Sequence, residues 1–261
     1  MDNQWKDWVV RYTTLYRKRF TKKQKEKFLR AFVTEISILR SDVKVFDLDD
    51  AGKAVFVGDV EHAKRVICTY YDTPPAPIRD YIYFQWEPKL WPHILASVLL
   101  LAAGILGTMY YAKTVGTSFT LFSVQTLLII AIYIVYFWLL RNVASGNLNG
   151  KTAIRNTSSV LLLLDLLSKD SADAYAFVDY GCFGLAGVKA VRKHMKKNAK
   201  LLYLDCVGAK QPIQTIQKEK VTYLFSAQKA GDHYILKSDD LREQNLDLKQ
   251  IQKVKKILEE A

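Results

Sequence analysis

Apolar and polar positions change their period several times along this chain, and each change predicts a different element. In residues 5–20, Trp5, Trp8, Val9, Tyr12, Leu15, Tyr16 and Phe20 recur at helical spacing opposite Arg11, Arg17, Lys18 and Arg19, which predicts an amphipathic helix. Thr21 with Gln24 three residues on is a capping-box signature, opening a second helix whose Phe28, Leu29, Phe32, Val33 and Ile36 face inward. Past Arg40 the pattern shortens to β-rich runs: VKVFDL from Val43, KAVFVG from Lys53 and RVICTYYD from Arg65. Residues 91–112 and about 119–140 are then two uncharged runs. At about 1.5 Å per residue each is long enough to cross a hydrocarbon core of about 30 Å. Beyond them the pattern predicts a helix at 158–167, strands at 174–179, 201–205 and 221–225, and helices at 184–195 and 248–258.

Strands alternating with helices imply an α/β fold with a mainly parallel central sheet covered on both faces. The two apolar runs fall between the strand RVICTY and the helix that follows, so they read as an inserted transmembrane hairpin. Trp91, Tyr110, Tyr111, Tyr136 and Trp138 lie near the ends of those runs, where amphipathic rings favour the lipid-water interface, with the turn expected at 113–118. The chain divides accordingly into N-terminal amphipathic helices (1–40), a first part of the α/β domain (41–89), the hairpin (90–140) and a second part of the domain (141–261).

Half of the 261 residues are apolar, which excludes a disordered polar tail, and the formal net charge is +12. Arg79 and Lys89 precede the first run, Arg141, Lys151 and Arg155 follow the second, and Lys113 stands alone in the turn. The positive-inside rule then expects a two-span protein of the cell membrane with both termini in the cytoplasm. The basic residues are interleaved with helix-periodic apolar ones, which points to membrane lipid rather than nucleic acid as the partner. The stretch with Trp5, Trp8, Arg11, Arg17, Lys18 and Arg19 reads either as a helix lying on anionic lipid or as a core helix with a solvated basic face. Cys68, Cys182 and Cys206 are too few for a disulfide framework or a zinc knuckle. Cys182 and Cys206 fall at strand ends, where a cysteine nucleophile is one reading and a buried structural thiol the other.

Four strings in order, VICTYYDTPP, AIRNTSSVLLLLDLL, AFVDYGCFGLAG and LLYLDCVG, carry a resemblance. Together they look like metallopeptidase family twenty-eight, the di-zinc aminopeptidases of the aminopeptidase Y type. The resemblance implies a three-layer α/β/α architecture and, in an intact member, two zinc ions held by His and carboxylate ligands with a Glu as general base. It also implies where the chemistry departs from the family. Tyr70 stands where the first motif has a zinc-binding His, while Asp72, which would orient that His, is retained. Arg155 matches the bridging Asp. Gly181 matches the general-base Glu, and Cys182 the ligand that follows it. Asp205 matches a ligand Asp, and Leu236, ahead of Asp240, aligns with the last His.

On that match four of five metal ligands and the general base are replaced, so zinc is expected to be lost. The expectation is an inactive, membrane-anchored homologue: a binding or scaffolding subunit whose partners are a membrane protein or a peptide. Its vestigial site would comprise Tyr70, Asp72, Arg155, Gly181, Cys182, Asp205 and Leu236, with Arg155 paired to Asp72 or Asp205. An active metallo-aminopeptidase with altered ligands and a lipid-surface adaptor are the alternatives.

Overall fold

A computed structural model describes residues 3–73, 80–84, 91–115, 123–144, 153–168, 172–182, 185–243 and 245–260. The chain forms two compact units, one of Met1–Pro88 with Gly150–Ala261 and one of Lys89–Asn149.

The first unit is built on a seven-stranded sheet of β1 (Val43–Asp47), β2 (Lys53–Val57), β3 (Arg65–Tyr70), β5 (Ala174–Val178), β6 (Lys200–Asp205), β7 (Ile213–Lys218) and β8 (Val221–Ser226), in the order β1-β2-β5-β3-β6-β8-β7. The four central strands β5, β3, β6 and β8 are parallel, while β1-β2, β2-β5 and β7-β8 pair antiparallel. Central parallel strands are covered on both faces and so read as apolar runs, and AYAFV is buried at all five positions. Alternate residues feed two cores. Val66, Cys68, Tyr70, Leu201 and Tyr203 join Val188 and Val191 of α6 (Ala186–His194), whereas Ile67, Leu202 and Leu204 join α1 (Asn3–Val10), α2 (Lys22–Leu39), α5 (Ser158–Leu167) and α8 (Leu248–Glu260).

The capping box forms as expected: Gln24 N donates to Thr21 Oγ1 and Thr21 N donates to Gln24 Oε1. The helix expected over 5–20 is shorter. It ends at Val10, continues as a π-helical turn Arg11–Leu15, and gives way to irregular chain before Thr21. Thr13 Oγ1 donates back to the Val9 carbonyl at 2.5 Å, a back-bond that competes with regular helix geometry. Sequence reading passed over β7, whose IQTIQK is an edge strand with several exposed side chains. It also passed over a small antiparallel sheet of β4 (Tyr81–Ile82), β10 (His233–Leu236) and β9 (Gln228–Ala230) and over the short helix α7 (Ser238–Arg242).

The second unit holds α3 (Trp91–Val115) and α4 (Val124–Ala144), two helices long and apolar enough to cross a membrane. Both begin or end some residues away from the runs marked in the sequence, and Lys113 lies in the last turn of α3 rather than in the connection. Thr114 and Val115 also belong to α3, and positions 116–118 of the expected turn lie outside the described residues. Tyr136 is not at an end: its hydroxyl donates to the Leu100 carbonyl at 3.1 Å, and Gly104 leaves the space this ring occupies.

Candidate functional site

Chain leaving β3 passes to β5 on one side, and chain leaving β6 passes to β8 and β7 on the other. The carboxyl ends of β3 and β6 therefore frame the place where the winding changes direction, the position at which open α/β sheets form a crevice. Tyr70 is the last residue of β3 and Asp205 the last of β6. Their side chains meet there: Tyr70 Oη donates to Asp205 Oδ1 at 2.7 Å.

Arg155 enters from a π-helical turn, Ala153–Thr157, that precedes α5 and is buried throughout. The turn is pinned to β6 by Cys206 N donating to the Arg155 carbonyl at 2.7 Å. Arg155 Nε donates to Tyr70 Oη at 3.1 Å, and its guanidinium lies 4.2 Å from the centre of the Tyr81 ring. Arginine and carboxylate thus reach each other through a phenol. The direct pairing of Arg155 with Asp72 or Asp205 expected from the sequence is absent among the described residues: the Tyr70 hydroxyl stands between Arg155 and Asp205, and the Asp72 oxygens accept from the Gly181 and Cys182 amides. Burial raises the Asp205 carboxyl, while Arg155 and the Tyr70 hydrogen bond pull it back.

Asp72 has a separate task. Its Oδ1 accepts from Gly181 N at 2.9 Å and its Oδ2 from Cys182 N at 3.3 Å, so the carboxylate holds the loop that follows β5. Burial, then the neighbouring Asp179, pushes this carboxyl up to about 6, although Lys25 and the two amides oppose the shift. Gly181 is required by close approach. A Cβ at this position would run into Cβ and Cγ of Tyr70, so the ring occupies the room that a side chain at 181 would need. The phenol at 70 and the glycine at 181 are therefore sterically linked.

Cys182 is buried, donates from Sγ to the Asp72 carbonyl at 3.3 Å, and has its thiol pushed well up by burial and then by Asp72. Cys206 is likewise buried, donates from Sγ to Asp205 Oδ1 at 3.2 Å, and is raised by burial and Asp205. Nucleophilic thiols need the thiolate, and both sites favour the thiol. Tyr180, Leu185 and Cys206 all adopt left-handed backbone (φ of 53°, 59° and 52°), so strained conformations gather along this edge.

A cavity of about 530 Å³ opens beside the cluster. Cys182, Tyr203 and Asp205 lie along it, Tyr81, Tyr83, Tyr223 and Phe225 supply aromatic walls, and Lys189 and Lys218 stand among its lining residues. The Tyr203 hydroxyl, buried against this space, has no hydrogen-bond partner among the described residues.

Six of the seven residues of the expected vestigial site thus come together. Leu236 adds only an apolar neighbour: it sits fully buried on β10, opposite Tyr81 of β4. The set expected at a lipid surface is not one surface. Trp5 and Trp8 are core residues at 8% and 2% exposure, Trp8 Nε1 donates to Glu35 at 2.9 Å, and Arg11 pairs with Asp7 and Glu35. Arg17 and Lys18 are half-buried.

Arg19 is fully buried, and its Nη2 donates to Asn156 Oδ1 at 3.0 Å and to Thr157 Oγ1 at 2.6 Å. Burial lowers it to about 10, still charged at neutral pH. The irregular chain after Leu15 lets Arg19 turn inward, where its backbone also pairs with Thr73. Sequence reasoning missed Arg19, Asn156, Tyr81 and Tyr203 as parts of the site. The one available signal was Asn156 and Thr157, polar residues directly ahead of an apolar helix.

The zinc pair that the peptidase resemblance would imply does not fit these residues. Arg155, a permanent cation, lies within the cluster, both Asp72 oxygens are taken by backbone amides, and Asp205 Oδ1 already accepts from Tyr70 and Cys206. Among the described residues no three His, Cys, Asp or Glu side chains are grouped to hold a metal ion. Compared with models of protein families, with curated proteins and with solved structures, the chain matches none.

Proposed function

We propose that this chain is a membrane-anchored, peptidase-like protein of the three-layer α/β/α kind, whose metal site has become a hydrogen-bonded cluster and whose cleft binds without cutting. In this reading α3 and α4 cross the cell membrane with both termini in the cytoplasm, and the domain serves as a binding or scaffolding subunit for a peptide or membrane-protein segment. The observation that carries it is the chain of contacts Arg155, Tyr70, Asp205 at the carboxyl ends of β3 and β6. Residues of the four motifs converge there, yet Asp72 and Asp205 are already engaged by neighbouring donors, which leaves neither a general base nor an open ligand set among them. The adjoining aromatic cavity supports binding, since recognition sites are concave, largely apolar and furnished with a few polar groups.

The purified full-length chain in detergent tests this directly. Metal content and hydrolysis of aminoacyl and peptide substrates are measured together, and binding of a fluorescent peptide library by polarisation is compared between the wild type and Val188→Trp, which fills the cavity. Saturable binding lost on filling, without turnover, is the expected result. Stoichiometric zinc with turnover would overturn it.

A further inference from the structure

We propose that a groove between Tyr16 and the first half of α2 docks on the surface of an anionic phospholipid bilayer. The inference rests on the reading of α3 and α4 as membrane spans and adds a second, cytoplasmic contact with lipid. The groove has a volume of about 940 Å³ and is lined by Tyr16, Lys22, Lys23, Glu26, Lys27 and Arg30. Lys22, Lys23, Lys27 and Arg30 are exposed, and among the described residues none of the four takes part in an ion pair. Lys25, on the inward side of the same turn, is spent on Asp179 at 2.5 Å.

Helices favour acidic residues in the first turn, because the backbone dipole makes that end positive. Here the first turn has no acidic residue and begins Lys22, Lys23. The dipole and the lysines therefore reinforce one another around a concave surface that holds a single carboxylate. An external anion is the group that relieves this accumulation.

Two neighbours decide which anion. Val10 and Leu15, on the segment leading into the groove, are 58% and 69% exposed. Exposed apolar side chains on the segment that leads into a lysine-lined groove are the composition of a surface that enters the headgroup layer, where the lysines meet anionic headgroups and the aliphatic groups the acyl boundary. A chain held at a bilayer by its own spans also meets that surface at high effective concentration, so a weak patch suffices. The tryptophans named from the sequence take no part, since they are buried. The interfacial residues are instead Leu15, Val10 and the lysines that open α2.

The test uses the full chain in nanodiscs of phosphatidylcholine alone and of phosphatidylcholine mixed equally with phosphatidylserine. Leu15→Cys carries an environment-sensitive dye; the three native cysteines are buried and do not compete for it. In the mixed discs quenching of the dye by aqueous iodide should fall severalfold relative to phosphatidylcholine, and recover at high salt. Each basic residue near an anionic leaflet is worth about fivefold in binding, so Lys22→Glu, Lys23→Glu and Lys27→Glu together should abolish the difference. Lys249→Glu, Lys253→Glu and Lys256→Glu on α8, an equal charge change elsewhere, should preserve it. Equal quenching in both discs, or equal loss with either triple variant, would overturn the proposal. So would shielding reproduced in phosphatidylcholine discs by inorganic phosphate or a soluble oligonucleotide, which would assign the groove to a soluble anion. Failure of the chain to enter either disc would instead overturn the membrane reading itself, and this inference with it.

Discussion

Tyr70 donates its hydroxyl proton to Asp205 and accepts a hydrogen bond from Arg155 on the same oxygen, so one phenol joins a buried cation to a buried anion. Charges removed from water are costly unless their hydrogen bonds are complete, and this oxygen supplies one to each. Tyr70→Phe keeps the ring and its stacking on Tyr203 but removes the link. The expected loss is about 2–4 kcal/mol, because two charged groups each lose a partner. Denaturant midpoints of the full chain in detergent measure it, and an unchanged midpoint would show that the cluster contributes nothing to stability.

The contact of Gly181 with Tyr70 predicts a coupled pair. Gly181→Ala alone overpacks the junction and should destabilise by about 1–3 kcal/mol. In a Tyr70→Ala background the same change should cost much less, giving a coupling energy of about 0.5–3 kcal/mol in a double-mutant cycle. Additive costs would mean that the two positions do not compete for one space.

Asp72 predicts a pH dependence. Its carboxyl is pushed up to about 6 in the fold, against about 3.9 for an unfolded chain, so the native state holds the proton more tightly. By linkage the native state gains stability as pH falls through 6, the gain is complete below about 4, and it is lost again as pH rises. Asp205 is shifted in the same direction. Thermal unfolding of the full chain should therefore move to higher temperature between neutral pH and about pH 5, and Asp72→Asn should flatten that rise. A fall in stability over this range that Asp72→Asn leaves untouched would contradict the assignment.

Trp8 distinguishes core from surface. It is buried beside α2 and donates to Glu35, so Trp8→Ala should cost about 3–5 kcal/mol of stability. A residue resting on lipid would show no such cost in detergent, and chemical denaturation separates the two outcomes.

The extent to which the chain could be read in advance follows the range of the forces involved. Local chemistry was legible: Thr21 with Gln24 caps α2, LLLL in α5 and VIC in β3 fill the core, and charge-free runs make two long apolar helices. The convergence of Tyr70, Asp72, Arg155, Gly181 and Asp205 was legible only through motif order, since no local period links residues so far apart. Hidden from sequence were the relations set by packing. A helical wheel gives the same score to a tryptophan facing lipid and one facing α2, which is why Trp5 and Trp8 were ambiguous until burial decided them. Arg19 reads as one of a basic run, and only the break after Leu15 turns it inward to Asn156 and Thr157.

Apolar period, capping residues and runs without charge thus determine on their own which segments become helix or strand, because those preferences act within a few residues. Tertiary structure alone decided that a phenol would stand between Arg155 and Asp205, that Gly181 would lie against that ring, and that four cations of α2 would find no ion-pair partner among the described residues. Each of those outcomes depends on volume and charge contributed by distant stretches of chain, and they become defined only when the sheet brings its strand ends together.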